Sequence, residues 1–109
     1  MARTFYRIVR TNPPTLADFF SDEARGKPKP TAADKASLHQ GLSVYATLAQ
    51  ARRKARGVTV LGRFVAQLEI PDETLVRAER TFSRSPGHHT LWAEPAELLR
   101  YVATVQPVQ

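Results

Sequence analysis

Apolar and polar positions change period along the chain, and the changes mark where elements start and stop. From Thr4 to Arg10 they alternate, with Phe5, Arg7 and Val9 on one face and Tyr6, Ile8 and Arg10 on the other, a strand pattern ended by Asn12-Pro13-Pro14. Thr15 followed by Asp18, with Leu16, Phe19 and Phe20 as an apolar stripe, predicts a capped helix running to about Arg25 and stopped by Gly26. Lys27-Pro28-Lys29-Pro30 reads as an extended connector, because each proline disfavours helix in the residue before it. Thr31 with Asp34 predicts a second, shorter surface helix to about Gln40.

The stretch from Gly41 to Gly57 reads as a strand running directly into a helix. Thr47 with Gln50 three residues later forms a capping box, and Gly57 supplies a stop. Leu48, Ala51 and Ala55 fall at helical spacing and make a narrow seam of small side chains, suited to lying close on a sheet. Val58 to Leu61 predicts a brief pairing. The clearest strand follows at Arg63 to Ile70, where Phe64, Ala66, Leu68 and Ile70 alternate with Arg63, Val65, Gln67 and Glu69. Pro71-Asp72 turns the chain, Leu75 to Thr81 is a more polar strand, and Ser83 to His89 has loop chemistry. Thr90 to Trp92 leads to a helical turn begun by Pro95 over Glu94 to Leu99, and Tyr101 to Val108 closes as a strand.

Strands that do not alternate regularly with helices predict an α+β fold: a single domain spanning 1–109, with a small twisted, mostly antiparallel or mixed sheet and two to three helices. Its expected core comprises Phe5, Ile8, Val44, Phe64, Leu68, Ile70, Leu98, Leu99, Val102 and Val105.

Composition adds charge to this picture. Sixteen basic against ten acidic residues give a net charge of +6, which favours polyanionic partners: a nucleotide, a nucleic acid or an acidic protein. Most of the basic residues are arginines, whose planar fork suits phosphate and carboxylate. The absence of cysteine excludes disulfides, thiol nucleophiles and thiolate metal sites, and fits a reducing compartment. With no membrane-length apolar run and no apolar leader, the expected location is the cytoplasm.

Four groups of residues carry candidate chemistry. Arg7 shares a strand face with Phe5 and Val9, where a charge is unfavourable without an anionic partner, although an arginine snorkelling to water from an edge strand gives the same pattern. Ser43, Tyr45 and Thr47 lie where the central strand meets its helix, Tyr45 equally readable as a core aromatic and Thr47 as a plain cap. His88 and His89, adjacent in sequence, make a poor chelate, so no metal site is expected; either could carry a proton or meet a phosphate. Arg52, Arg53, Lys54 and Arg56 form a basic helix face, a phosphate-tracking surface for nucleic acid or an ordinary solvated face.

The order of parts, Tyr6-Arg7 on an opening strand, then Gly41-Leu-Ser-Val-Tyr-Ala-Thr leading into a helix, then Glu94 and Glu97 late in the chain, resembles the ADP-ribosyltransferase superfamily. The resemblance lies in order and local character across most of the chain; Leu38-His39-Gln40-Gly41 is a loose echo of the family's signature. It implies a small split α+β sheet and NAD as the nucleotide, with Arg7 and Tyr6 in the first motif, Ser43, Tyr45 and Thr47 in the second, and Glu97 or Glu94 as the catalytic carboxylate; His88, a proton carrier by its own chemistry, is a further catalytic candidate outside those motifs. It further implies cleavage of the NAD glycosidic bond and transfer to an acceptor, as in a small bacterial toxin. In that setting Arg7 grips the pyrophosphate, Tyr45 stacks on nicotinamide and a glutamate stabilises positive charge developing on the ribose. The competing expectations are a basic nucleic-acid-binding module and a small non-enzymatic interaction protein.

Overall fold

The computed structural model describes residues 2–26, 40–81 and 87–109. Among these, six strands form one sheet: β1 (Ala2–Val9), β2 (Leu42–Tyr45), β3 (Phe64–Pro71), β4 (Arg77–Arg80), β5 (His88–Trp92) and β6 (Val102–Pro107). Two helices, α1 (Leu48–Gly57) and α2 (Pro95–Arg100), and 3-10 turns at Leu16–Phe19 and Thr59–Leu61 complete it. The strand order is β4-β5-β2-β1-β3-β6 and every neighbouring pair is antiparallel. The chain is therefore a small α+β fold, as its patterning predicts. No helix among the described residues is long and apolar enough to cross a membrane.

Register is uneven across the sheet. β1 and β3 pair along their whole length, from Ala2 opposite Pro71 to Val9 opposite Phe64, whereas β1 and β2 hold register only at Tyr6 opposite Tyr45. The six strands still make one continuous sheet, with β2 joined to β1 over a much shorter ladder than the one that joins β1 to β3.

Alternation sorts side chains onto two faces, and each face is covered by a different helix. Phe5, Val9, Leu42, Val44, Ala66, Leu68, Ile70 and Leu91 face α2 and the first 3-10 turn, where Leu98 and Phe19 complete the larger core cluster. Ile8, Tyr45 and Val65 face α1, which rests on the sheet through Ala51 and Ala55 with Leu48 partly buried, the small-residue seam predicted for it. Of the expected core, Phe64, Leu99, Val102 and Val105 are only partly buried, packed on the rim of the larger cluster.

Several elements depart from expectation for identifiable reasons. The helix expected from Thr15 to Arg25 is reduced to the turn Leu16–Phe19, because Asp18 and Phe19, adjacent in sequence, are both drawn inward. The Asp18 carboxylate accepts from the Arg10 and Thr15 N–H groups, both at 2.9 Å, and from the Thr11 hydroxyl at 3.4 Å. The Thr15-Asp18 capping box expected from the sequence is therefore present, but the turn it starts ends at once, Phe20 being already extended. Gly26, with φ of 76°, does end the local turn that follows. Gly57 is the last residue of α1 and not a left-handed stop; α1 ends at Val58, whose N–H donates to the Lys54 carbonyl at 2.9 Å. Val58 to Leu61 forms the second 3-10 turn and no pairing. His88 and His89 are strand, held opposite Tyr45 and Val44. The second helix expected from Thr31 lies outside the described residues, apart from its end at Gln40.

Candidate functional site

Because β1 and β2 separate beyond Tyr6 and Tyr45, a cavity of about 340 Å³ opens at the seam between them. Arg7, Ser43 and Tyr45, three residues expected at a cofactor site, line it together. Arg10, Asp18, Asp22, Arg25 and Lys54 supply the rest of its charge, and Ile8, Val60 and Leu61 part of its apolar wall. A second cavity of about 350 Å³ shares Arg10, Asp18, Phe20 and Arg25.

Arg7 sits at the meeting point of three segments. Its Nε donates to the Asp18 carbonyl at 3.1 Å and its Nη1 to the Ser43 carbonyl at 2.9 Å, so the guanidinium ties β1 to the 3-10 turn and bridges the seam to β2. Burial, and then the positive charge of Arg25, lower its pKa to about 10, against opposing pulls from Asp18, Tyr45 and Asp22. It stays protonated at neutral pH. Arg25 is held in the same manner, its Nε donating to the Phe20 carbonyl at 3.2 Å and its Nη2 to the Ala17 carbonyl at 3.1 Å. Among the described residues both guanidiniums bond to backbone carbonyls and to no carboxylate.

The other second-motif residues divide. Ser43 is exposed, on the cavity side of β2. Tyr45 is only 3% exposed; its ring meets His88 edge-on, with centroids 5.6 Å apart, and packs in the α1 cluster. It therefore forms a wall of the cavity, with no open face for the stacking expected of it. Thr47 caps α1: its hydroxyl accepts the Gln50 N–H at 3.1 Å, and its own N–H donates to Gln50 Oε1 at 3.2 Å. Neither Thr47 nor Tyr6 lines the cavity, Tyr6 packing instead against the α1 cluster.

The catalytic candidates are not gathered at the cavity. Glu94 is exposed at the N-cap of α2, and Glu97 accepts the Tyr101 hydroxyl at 3.1 Å on the same helix, which packs on the opposite face of the sheet from α1. The carboxylates of the lining are Asp18 and Asp22. His88 lies one strand away from the cavity, on the face of Tyr45, while His89 points the other way, its ring centroid 5.2 Å from that of Phe5. His88 Nδ1 lies 2.6 Å from the Thr81 hydroxyl, which is 3.1 Å from that of Thr90. Burial, then His89 and Lys54, push the His88 pKa below its ordinary value, with hydrogen bonding to Thr81 opposing the shift. No group of three or more His, Asp or Glu side chains able to hold a metal occurs among the described residues.

The basic face of α1 is divided among three tasks. Arg52 donates to the Pro107 carbonyl at 3.2 Å and to Gln106 Oε1 at 3.2 Å, and Arg56 to the Val108 carbonyl at 3.3 Å, fastening the end of the chain to the helix. Lys54 turns to the cavity and Arg53 to solvent.

Sequence reasoning missed Arg10, Asp18, Asp22 and Arg25. The basic pair Arg7 and Arg10 on one strand was a partial signal, but Arg25 joins it only through the shape of the aborted turn. No protein-family model, curated protein or solved structure matches the chain.

Proposed function

We propose that the seam between β1 and β2 binds NAD and that the protein acts as an ADP-ribosyltransferase-like enzyme, breaking the bond between ribose and nicotinamide and passing ADP-ribose to an acceptor nucleophile. One observation carries this reading: Arg7, on the opening strand, holds its guanidinium at the short β1-β2 junction by Nε and Nη1 bonds to the Asp18 and Ser43 carbonyls, and its Nη2 has no partner among the described residues and can meet an anion in the cavity. The lining fits the pyrophosphate part of such a ligand. Its four cationic side chains outnumber its two carboxylates, and the Asp18 carboxylate is already engaged by two backbone N–H donors.

In this reading Arg7 binds and orients the pyrophosphate, and the exposed Ser43 hydroxyl offers a contact to ribose or nicotinamide. The Tyr45 and Ile8 side chains exclude water from the inner wall. As the glycosidic bond breaks, its electron pair leaves with nicotinamide and positive charge grows on the ribose. The lining carboxylates Asp18 and Asp22, rather than Glu94 or Glu97, share the cavity with that charge.

Calorimetric titration tests the binding half. NAD is expected to bind the wild type, and Arg7→Lys, which keeps the charge but loses the fork, is expected to weaken it. Equal affinity in the two proteins would remove Arg7 from the site.

A further inference from the structure

We propose that Arg25 is the second half of a phosphate clamp with Arg7, so that the cavity selects ligands carrying two adjacent phosphates over those carrying one. The inference rests on the same cavity as the proposed function but not on NAD or on any reaction.

The two guanidiniums are built onto one short segment. Arg25 is anchored to the Ala17 and Phe20 carbonyls, Arg7 to the carbonyl of Asp18 between them and to Ser43 across the seam. That segment is itself fixed by the buried Asp18 carboxylate and the fully buried Phe19. The two heads are therefore anchored to carbonyls of the same short segment, Arg7 partly buried and Arg25 exposed, and both line the cavity. Their anchors use some of the N–H groups on each head, and the others have no partner among the described residues.

Like charges placed this way repel, and the repulsion registers on Arg7, where Arg25 is the largest influence after burial. Asp18 and Asp22 in the same lining oppose that repulsion, and an anion seated between the two heads would relieve it further and add charge-assisted hydrogen bonds. One phosphate occupies one fork, while two phosphates joined through a bridging oxygen offer one to each of two forks that line the same cavity. Arg10 and Lys54 in the same lining raise the positive potential without sharing these anchors.

The test is calorimetric titration of the whole chain with inorganic phosphate, inorganic pyrophosphate, ADP and NAD, on the wild type, Arg25→Gln, Arg25→Lys and Arg53→Gln. Arg53 is exposed on α1 and outside the lining, so its variant reports the effect of net charge alone. The wild type is expected to prefer pyrophosphate to phosphate. Arg25→Gln should weaken pyrophosphate and ADP binding about tenfold to a hundredfold, the scale of lost charge-assisted bonds, and reduce the preference over phosphate. Arg25→Lys should fall between, and Arg53→Gln should match the wild type. Thermal melts of each variant establish that the folded state is being titrated, and Arg25→Lys retains the charge if Arg25→Gln melts early. Equal pyrophosphate affinity in wild type and Arg25→Gln, or a wild type that binds phosphate as well as pyrophosphate, would overturn the clamp. Pyrophosphate and ADP bound through Arg25 with no NAD cleavage would instead leave the clamp standing and remove the transferase reading alone.

Discussion

Thr47 separates a structural role from a ligand contact, because the structure assigns it one job with a calculable size. Its hydroxyl accepts the Gln50 N–H at 3.1 Å, one of the donors that the first turn of a helix leaves without an internal partner. Thr47→Ala removes that acceptor. The N-terminus of α1 is exposed at Ala46, Thr47 and Ala49, so water reaches the released N–H and the full cost of a buried unsatisfied donor does not apply. The reciprocal bond from the Thr47 N–H to Gln50 Oε1, at 3.2 Å, involves only the backbone of residue 47 and is retained. The expected loss is about 1 kcal/mol, or roughly 4 °C in melting temperature for a domain of this size. Thr47→Ser keeps an acceptor at the same place and should recover most of it. The assay is chemical and thermal unfolding of the three proteins beside their NAD affinities. A fall in affinity at unchanged stability would refute the assignment and place Thr47 in contact with ligand.

Three further expectations follow from particular contacts. Gly62 has a φ of 152° and an added Cβ would run into the Val9 carbonyl, so Gly62→Ala should cost about 2 kcal/mol or more in urea unfolding; a neutral effect would contradict the close approach of the second 3-10 turn to β1. His88, with its folded pKa below its unfolded one, binds fewer protons folded than unfolded, so stability should fall as pH drops through the unfolded value of about 6.5; unfolding across pH 5 to 8 should show this slope in the wild type and a reduced one in His88→Gln, and identical slopes would contradict the burial of His88. Arg52→Ala and Arg56→Ala should each lower stability by about 1 kcal/mol through loss of bonds to the Pro107 and Val108 carbonyls, while Arg53→Ala should not; equal effects at all three in thermal melts would show that the face acts through charge alone.

What could be read from the sequence was what depends on neighbours in the chain. The alternation of Phe64 to Ile70, the capping box at Thr47 and the seam of Leu48, Ala51 and Ala55 are local patterns, and each survives in the fold. The strand from His88 was hidden because its polar residues carry no periodic apolar signal; it is a strand because β2 and β4 lie on either side of it. The first helix failed for the converse reason: Asp18 fits a helical first turn locally, but its carboxylate also accepts the Arg10 N–H from the end of the opening strand and is buried. At the cavity, Arg7, Ser43 and Tyr45 were legible as parts of two motifs, whereas Arg25 depends on where the seam opens. The glutamates were placed by order in the chain alone, and order does not reveal that α2 contributes no residue to the cavity lining.

The most direct test of the central claim is nicotinamide release from NAD by the wild type, measured beside Arg7→Lys, Asp22→Asn and Glu97→Gln. Release is expected from the wild type and should fall in Arg7→Lys and Asp22→Asn, whose residues line the cavity. Glu97→Gln, altered on α2 at a carboxylate bonded to Tyr101 and outside the lining, should release nicotinamide at the wild-type rate. A wild type that releases none, or a loss of release in Glu97→Gln with Arg7→Lys unaffected, would contradict the assignment of the seam as the site of NAD cleavage.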